Sequence, residues 1–275
     1  SPRIKREYFQ DGISLIRTGK YEESVEVISR AIEINPGHDL AWCAKGVALL
    51  RLERLDEAVR AFDRAIENNR RCARAYLEKG NALSRLGRQL EAVVAYDKVL
   101  EIEPESAAAH FQKGIALAQK ERYDDAIPAF TRALEIDPEN AQGEYYLGIS
   151  LAGRERYLDA IAAFRRSLAL APENTSAYYY EGIAHIQCGQ YAEAITAFDA
   201  AILLDPSHAM ARYYKGISQL QAKEYEAAII SFTEAINADA TITDAWMYRG
   251  IAYFQIGRFE DAVTSLDRHL AATPS

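Results

Sequence analysis

Small and apolar residues recur along this chain at a constant period of about 34 residues. The period is set by glycine, which occupies Gly12, Gly46, Gly80, Gly114, Gly148, Gly182, Gly216 and Gly250. Twelve residues after each glycine stand Ser24, Ala58, Ala92, Ala126, Ala160, Ala194, Ala228 and Ala262. Sixteen residues after it stand Ile28, Phe62, Tyr96, Phe130, Phe164, Phe198, Phe232 and Leu266. The pattern predicts one supersecondary unit used eight times.

Each unit has the pattern of two antiparallel helices, here called A and B. In the second unit, helix A is predicted over residues 39–53. Gly46 has no side chain and lets the partner helix approach closely, Ala58 faces it from helix B, and Phe62 fills the space one turn later. Proline ends most units and stops helix B. N-caps are expected at Asp39, Ser106, Asn140, Asn174 and Ser207.

These spacings resemble those of the tetratricopeptide repeat family, whose units place Trp, Gly, Tyr, Ala, Phe and Pro within a repeat of the same length. The resemblance covers residues 5–275, with repeats starting near residues 5, 39, 73, 107, 141, 175, 209 and 243. It implies an all-α fold, a right-handed α-α superhelix or solenoid of antiparallel helix pairs. One hairpin cannot bury its apolar face alone, so stacking is expected to join residues 1–275 into a single domain.

Charge and composition narrow the function classes. The net charge is −8, and the acidity lies in the second half of the chain. Nucleic acid is not an expected partner, because affinity for phosphate backbones comes from Lys and Arg. No apolar run is long enough to span a membrane, and the first residues do not resemble a signal peptide. Three widely spaced cysteines favour a reducing compartment, so a cytoplasmic location is expected.

The sequence shows no pattern of catalytic or metal-binding chemistry. No glycine-rich phosphate loop, HExxH, CxxC or GxSxG motif occurs. His110, His185 and His269 fall at core positions of their repeats, which favours packing over metal binding. We therefore expect a chain that is not an enzyme and that uses no cofactor and no metal.

The candidate binding surface is one face of the A helices. With the repeated glycine numbered as position 8, positions 2, 5, 9, 12 and 13 share a face, which in the family lines a concave groove. Here that face is rich in isoleucine and tyrosine, although a face that only met water would be polar. Two interpretations remain open. Adjacent A helices cover one another, or a protein or extended peptide segment occupies the groove.

Tyrosine is the residue type that favours the second interpretation. Its ring is large and rigid, and its hydroxyl can stay in water or reach a peptide backbone. The candidate contact residues at positions 5 and 6 are Phe111, Tyr145, Tyr146, Tyr179, Tyr180, Tyr213, Tyr214 and Tyr248.

The groove is predicted to be basic at its N-terminal end. Arg17, Arg51 and Arg85 occupy position 13, Arg74 lies on the same face, and Asn81 occupies position 9. Arginine can bind a carboxylate through two hydrogen bonds. The hypothesis is a ligand with an acidic end against the arginines and an apolar stretch against the tyrosines. The alternative is that the arginines are solvated or paired with nearby acids.

The resemblance allows one test of the kind of partner. Chaperone-binding members of the family carry a carboxylate clamp that needs a basic residue at position 5, and no repeat of this chain has one there. Recognition of chaperone tails by that mode is therefore not expected.

Two further functions stay open as alternatives. The last repeat carries the apolar residues Val263, Leu266 and Leu270, which are expected to lack part of the cover that a following helix would give, and this predicts end-to-end self-association. Single-stranded RNA binding is the remaining alternative, and the acidic charge argues against it.

Overall fold

The computed structural model describes residues 2–272, with side chains from residue 7 onward. This part of the chain contains sixteen α-helices and no strand, which confirms the predicted all-α stack of helix pairs. The first eight helices are α1 (Pro2–Arg17), α2 (Tyr21–Ile34), α3 (Asp39–Arg51), α4 (Leu55–Asn68), α5 (Ala73–Arg85), α6 (Gln89–Ile102), α7 (Ala107–Ala118) and α8 (Tyr123–Ile136). The other eight are α9 (Ala141–Gly153), α10 (Tyr157–Leu170), α11 (Thr175–Gln187), α12 (Tyr191–Leu204), α13 (Ala209–Gln221), α14 (Tyr225–Ala238), α15 (Thr243–Gln255) and α16 (Phe259–Ala272).

The helices form two compact units, Ser1–Pro138 with α1–α8 and Glu139–Ser275 with α9–α16. Odd-numbered helices are the A helices and even-numbered helices are the B helices of the repeats. Within each unit, every B helix except the last packs between the A helix of its own repeat and the A helix of the next. Successive A helices also touch, whereas successive B helices do not within the described residues. The A helices therefore lie on the inner side of each stack. A single domain over residues 1–275 stays a prediction.

The repeated glycine marks the closest approach of the two helices in a hairpin. A Cβ added to Gly46 would lie 2.5 Å from the ring of Phe62, and one added to Gly182 would lie 2.7 Å from the ring of Phe198. Both rings are fully buried, as is Ala58. These contacts confirm the three predicted roles. The glycine allows the close approach of the two helices, the buried alanine faces it from helix B, and the buried ring fills the space beside the glycine.

Helix A ends earlier than the sequence indicates. The prediction that helix A continues to Glu53 is wrong, because α3 ends at Arg51 and Glu53 adopts a left-handed backbone with φ of 60°. The same turn position is left-handed in every repeat. It holds Gly19, Glu53, Gly87, Glu121, Glu155, Gly189, Lys223 and Gly257. This conformation reverses the chain between A and B, and only glycine adopts it without strain.

Three of the five predicted N-caps are confirmed. The side chains of Ser106, Asn140 and Asn174 each accept a hydrogen bond from the backbone N–H three residues later. The predictions for Asp39 and Ser207 are wrong. Asp39 is already the first residue of α3. Ser207 is displaced as the cap of α13 by its neighbour His208, whose Nδ1 accepts from the N–H of Ala211 at 3.1 Å.

Candidate protein-interaction surfaces

Seven tyrosine side chains form a continuous row on the A helices of the second unit. Within α9 the ring centroids of Tyr145 and Tyr146 are 5.2 Å apart. The corresponding distance is 5.1 Å for Tyr179 and Tyr180 in α11 and 5.1 Å for the pair in α13. All three pairs meet edge to face, the geometry that aromatic quadrupoles favour. The tyrosine row consists of Tyr145, Tyr146, Tyr179, Tyr180, Tyr213, Tyr214 and Tyr248.

Contacts between repeats join these pairs into one row. The ring centroids of Tyr145 and Tyr180 lie 6.2 Å apart. Those of Tyr179 and Tyr214 lie 6.0 Å apart, and Tyr213 lies 6.0 Å from the tyrosine at position 6 of the last repeat. The tyrosines predicted as contact residues are therefore brought together over four successive repeats.

Buried phenylalanines of the B helices pack against the tyrosine row and hold its rings in place. The ring of Phe198 contacts Tyr179 at 6.1 Å and stacks on Tyr214 at 6.2 Å with an interplanar angle of 20°. Phe164 and Phe232 make the corresponding contacts in the neighbouring repeats. Because the rings are held by packing, little side-chain entropy remains to be lost when a partner binds.

The tyrosines differ in how much of each ring is accessible. Tyr180 is 39% exposed, whereas Tyr213 is only 9% exposed. The remaining members of the row are half-buried. Adjacent A helices thus cover part of this face, as the first interpretation expected, and they leave a strip of ring edges exposed. Tyr213 offers little surface to a partner, because its neighbours cover it.

Burial raises the pKa of three phenols of the row. It raises the pKa of Tyr145 to about 12, with a smaller contribution from the neighbouring Tyr180 and Tyr146. Burial also raises the pKa of Tyr179 and Tyr213, again with neighbouring tyrosines adding to the effect. At neutral pH these three rings therefore present apolar edges and O–H donors without negative charge.

A second surface lies at the N-terminal end of the first unit. A cleft of about 390 Å³ opens between α1, α3 and the start of α5. We call it the arginine cleft, and its lining consists of Phe9, Ile13, Ile16, Arg17, Leu40, Cys43, Ala44, Val47 and Arg74. Most of these lie at helix A positions expected from the sequence to face the groove. Arg17 and Arg74 are exposed at its rim, and no ion pair joins either to a carboxylate within the described residues.

The other two arginines of the predicted basic end stand apart from this cleft. Arg85 donates a hydrogen bond to the carbonyl of Leu50 at 3.2 Å and forms an ion pair with Glu53. It therefore has the paired state that the alternative interpretation described. Arg51 is exposed at the last residue of α3.

Asn81 and Phe111 are engaged with the core of the first unit. The Oδ1 atom of Asn81 accepts a hydrogen bond from the hydroxyl of buried Tyr96 at 3.0 Å, and its Nδ2 donates to Glu78 at 3.2 Å. Phe111 contacts the ring of Phe130, with centroids 6.1 Å apart. Repeat 3 has tyrosine where most repeats have phenylalanine, and Asn81 supplies the acceptor that the buried hydroxyl needs.

Reactive groups are sparse in the described part of the chain. No cluster of three or more His, Cys, Asp or Glu side chains that could hold a metal is found there. Cys43 is 3% exposed, and burial raises the pKa of its thiol to about 12, with smaller effects from nearby charges. His185 is buried and hydrogen-bonded, as expected for a packing histidine. None of the described helices is both long and apolar enough for a membrane span.

A family model for the tetratricopeptide repeat matches residues 9–68, 43–102, 77–141, 181–242 and 242–275. These regions cover more than half of the chain. The chain belongs to the tetratricopeptide repeat (TPR) family. A second model, for subunit 3 of the anaphase-promoting complex, or cyclosome, matches residues 119–201. No curated protein matches the sequence.

Solved TPR structures resemble this chain. YrrB, described as a TPR protein with an unusual peptide-binding site, is 30% identical with a TM-score of 0.62, and the match covers 68% of this chain and 96% of YrrB. MamA from Desulfovibrio magneticus is 25% identical with a TM-score of 0.59, covering 62% and 96%. The C-terminal part of a TPR protein from Cytophaga hutchinsonii is 16% identical with a TM-score of 0.73, covering 86% and 97%, and shows the fold alone.

One recurring contact of these TPR repeats was not found by the sequence analysis. An acid at position 25 of one repeat pairs with a lysine at position 7 of the next. The N–O distance is 2.6 Å for Asp63 and Lys79, 2.7 Å for Asp97 and Lys113, and 2.7 Å for Asp199 and Lys215. The signal was present in the sequence, since the acid precedes the lysine by the same interval in all three pairs.

The same contact is reversed between the fifth and sixth repeats. Here Arg165 occupies position 25 and donates to Glu181 at position 7, with an N–O distance of 2.9 Å. Glu181 is buried, and Nε2 of His185 lies 3.5 Å from the same carboxylate oxygen. His185 in turn hydrogen-bonds to Gln190 at 2.7 Å through its other ring nitrogen. The junction between these two TPR repeats is therefore held by a charged network whose polarity is opposite to that of the three Asp–Lys junctions.

Proposed function

We propose that this TPR chain is a non-catalytic scaffold that binds a protein or peptide segment along the tyrosine row. The observation that supports this most directly is the unbroken contact of seven rings, from Tyr146 to Tyr248, on the inner side of the second unit. Tyrosine is enriched at protein interfaces because one side chain supplies both apolar area and a hydrogen bond. The resemblance to YrrB, a TPR protein with a peptide-binding site, supports the same function.

The chemistry of the row defines the partner segment. Half-buried rings with uncharged hydroxyls favour an extended apolar segment whose backbone carbonyls accept hydrogen bonds from the phenols. The second unit has 10 Lys and Arg against 17 Asp and Glu, a net charge of −7. This charge favours basic residues flanking the apolar segment and repels acidic ones.

Binding along the tyrosine row is tested by substituting tyrosines that lie at the surface, so that the substitutions leave the core packing unchanged. A displayed library of random peptides would first supply a binder. We expect Tyr146→Ala together with Tyr180→Ala to weaken its binding about 10-fold or more, because aromatic anchors carry most of the energy of such contacts. Tyr213 is not a suitable target, since it is buried and its removal would leave a cavity.

Tyr191→Ala is the matched control. Tyr191 is half-buried at the start of α12, on the B-helix side, so the variant loses the same ring away from the row. Selection of no binder, or equal loss in the control and in the row variant, would contradict the proposal.

The arginine cleft is proposed as a second contact surface, for an acidic segment. Its apolar walls would accept one large side chain, and Arg17 and Arg74 would bind a neighbouring carboxylate. Arg17→Gln with Arg74→Gln should weaken binding of an acidic peptide that carries a leucine or phenylalanine. Arg30→Gln, an exposed arginine on α2, is the control. Equal affinity of the wild-type chain and both variants would remove this surface from the proposal.

Self-association stays a prediction. The exposed apolar residues Val263, Leu266 and Leu270 on α16 favour it. Light scattering over a concentration series distinguishes the two functions, because only self-association makes the mean mass grow with concentration.

A further inference from the structure

A cleft lies between two neighbouring B helices of the second unit. α10 and α12 do not contact each other, and the space between them has a volume of about 550 Å³. α11 lies beneath this space, because it packs against both helices. We call it the B-side cleft, and its lining includes Leu158, Arg165, Arg166, His185, Gln190 and Glu193. It shares no lining residue with the tyrosine row.

The corresponding cleft between α6 and α8 shows how the same positions are filled in another pair of repeats. Its volume is about 410 Å³. The charged groups of its lining are paired, Asp97 with Lys113 at 2.7 Å and Arg122 with Asp125 at 2.6 Å. Its floor is the buried Leu117. This cleft therefore has closed ion pairs and an apolar floor.

The B-side cleft lacks one of these ion pairs. In six repeats a lysine or arginine at position 16 pairs with an acid at position 19, as Arg156 does with Asp159 at 2.7 Å. The sixth repeat has Gln190 at position 16, whose Oε1 accepts a hydrogen bond from Nδ1 of the floor residue His185 at 2.7 Å. Glu193 at position 19 is exposed, and no ion pair joins it to a cation in the part of the chain that the structure describes. Its carboxylate is available to a cation of a partner.

Two consecutive arginines of α10 supply the opposite charge. Nε of Arg165 donates to Glu181 at 2.9 Å, and Nε of Arg166 donates to Glu144 at 2.7 Å. Both glutamate side chains are 10% exposed, whereas the arginine side chains are 61% and 53% exposed. Each guanidinium is thus anchored at Nε on a buried carboxylate and keeps further N–H donors for a ligand. Since the anchored side chains have already lost rotamer freedom, binding costs them less entropy.

The remaining features decide what kind of molecule fits the B-side cleft. Leu158 is 66% exposed and offers apolar surface beside the two arginines. The cleft is open to solvent, so a small molecule would leave much of its surface in water, whereas a protein segment covers itself with its own flanking residues. The second unit as a whole has a net charge of −7 and repels acidic segments, which leaves the arginine pair as the place where a carboxylate is attracted.

We propose that the B-side cleft binds a segment of a partner protein that carries an acidic residue, a leucine-sized apolar residue and a lysine or arginine. The carboxylate accepts charge-assisted hydrogen bonds from Arg165 and Arg166. The apolar side chain packs on Leu158, and the cation pairs with Glu193. Opposite charges at the two sides of the cleft set the direction of the segment. A partner bound there leaves the tyrosine row free for a second one.

A displayed library of short random peptides supplies the probe. Selection is carried out on the chain with Tyr146→Ala and Tyr180→Ala, which excludes ligands of the tyrosine row. The result is therefore independent of whether the row binds a peptide. The recovered peptides should share an acidic, an apolar and a basic residue, and they should bind the chain with an intact row equally well.

Substitutions of exposed residues test the site without disturbing the core. Leu158→Asp should weaken binding of a recovered peptide about 10-fold or more, because it removes the apolar contact and places a carboxylate beside the acid of the peptide. Leu90→Asp is the matched control, since Leu90 has the same repeat position on α6 and is 53% exposed. Glu193→Lys should weaken binding about three-fold. Its control is Glu226→Lys, an exposed glutamate in the first turn of α14.

Charge changes in the peptide test the two ends of the contact. Replacing its basic residue by glutamate should weaken binding to the wild-type chain and restore binding to Glu193→Lys, with coupling measured by a double-mutant cycle. Replacing its acid by the corresponding amide should weaken binding about 10-fold, because hydrogen bonds to charged groups are lost. This change is made in the peptide, since removing Arg165 or Arg166 would leave a buried carboxylate unpaired.

Three results would overturn the proposal. The first is a selection that yields no peptide, or peptides whose affinity falls equally with Leu158→Asp and with Leu90→Asp. The second is additivity of Glu193→Lys and the charge change in the peptide. The third is growth of the mean mass with concentration that Leu158→Asp removes, because a second copy of the chain would then occupy the cleft.

Discussion

Arg165 donates a hydrogen bond to the buried carboxylate of Glu181, 2.9 Å away, and reverses the polarity of the Asp–Lys pairs at the same positions of other junctions. Glu181→Lys should lower the free energy of unfolding by about 2–3 kcal/mol, because it places two cations together at a poorly solvated site. Urea unfolding followed by circular dichroism measures the loss. Adding Arg165→Asp should recover at least half of it, since the pair then has the polarity of Asp199 and Lys215.

Additivity of the two single substitutions would contradict this interpretation. In that case the cost of Glu181→Lys would come from packing of the longer side chain and not from charge. A coupling energy near zero in the double-mutant cycle is the decisive result.

The Glu181 carboxylate also predicts how stability depends on pH. Burial alone would raise its pKa, but hydrogen bonds from His185 and Arg165 outweigh burial and leave the folded-state pKa below the usual value. The ionised group therefore stabilises the fold above its unfolded pKa, and this contribution is lost as the pH falls through the folded value. Glu181→Gln should flatten the stability profile between about pH 5 and pH 3. Glu260→Gln, on the exposed surface of α16, is the control, and identical profiles for both variants would be evidence against the role of the pair.

The glycine at position 8 predicts a packing defect on substitution. In Gly182→Ala, the new Cβ would lie 2.7 Å from the fully buried ring of Phe198, which is closer than packed carbon atoms approach, so the ring or the helix would have to shift. We expect a loss of about 1–3 kcal/mol in the free energy of unfolding. Combining it with Phe198→Leu should cost less than the sum of the two changes, because the smaller side chain relieves the contact. A fully additive pair would argue that the ring does not limit this position.

The left-handed turn residues predict a stabilising change. Lys223 has a φ of 64°, a conformation that strains any residue with a Cβ. Lys223→Gly should raise the free energy of unfolding, measured by urea denaturation, by about 1 kcal/mol. The reverse substitution in the sixth repeat, Gly189→Lys, should lower it by a similar amount, since Gly189 has a φ of 71°. A destabilised Lys223→Gly variant would mean that the lysine side chain makes a contribution larger than the backbone strain.

The helix pairs could be predicted because they depend on contacts inside one repeat. The interval between Gly46 and Phe62 recurs in every repeat, so their contact follows the sequence period. The turn residues were missed because Glu53 and Lys223 are not residue types that indicate a left-handed backbone. The cap of α13 was assigned to Ser207 and belongs to His208, because an imidazole nitrogen can accept the same hydrogen bond as a hydroxyl.

The candidate surface was predictable in its residues and not in its exposure. The spacing of the tyrosines placed them on one face of successive helices, and the ring contacts agree with that placement. The burial of Tyr213 depends on its contacts with Tyr214 in the same helix and Tyr248 in the next repeat, which the sequence pattern does not measure. Pairing of Arg85 with an acid was one of the two alternatives left open, and its partner Glu53 could not be named from the sequence, because the contact depends on the conformation of the turn.

Because one ion pair is reversed, deleting one repeat does not have the same effect as deleting another. Deleting residues 73–106 would bring Asp63 opposite Lys113, and the junction would keep its opposite charges. Deleting residues 175–208 would bring Arg165 opposite Lys215, where two cations would meet. Gene rearrangements that remove the third repeat should therefore leave a chain that still folds, whereas loss of the sixth should require a compensating mutation at one of these two positions.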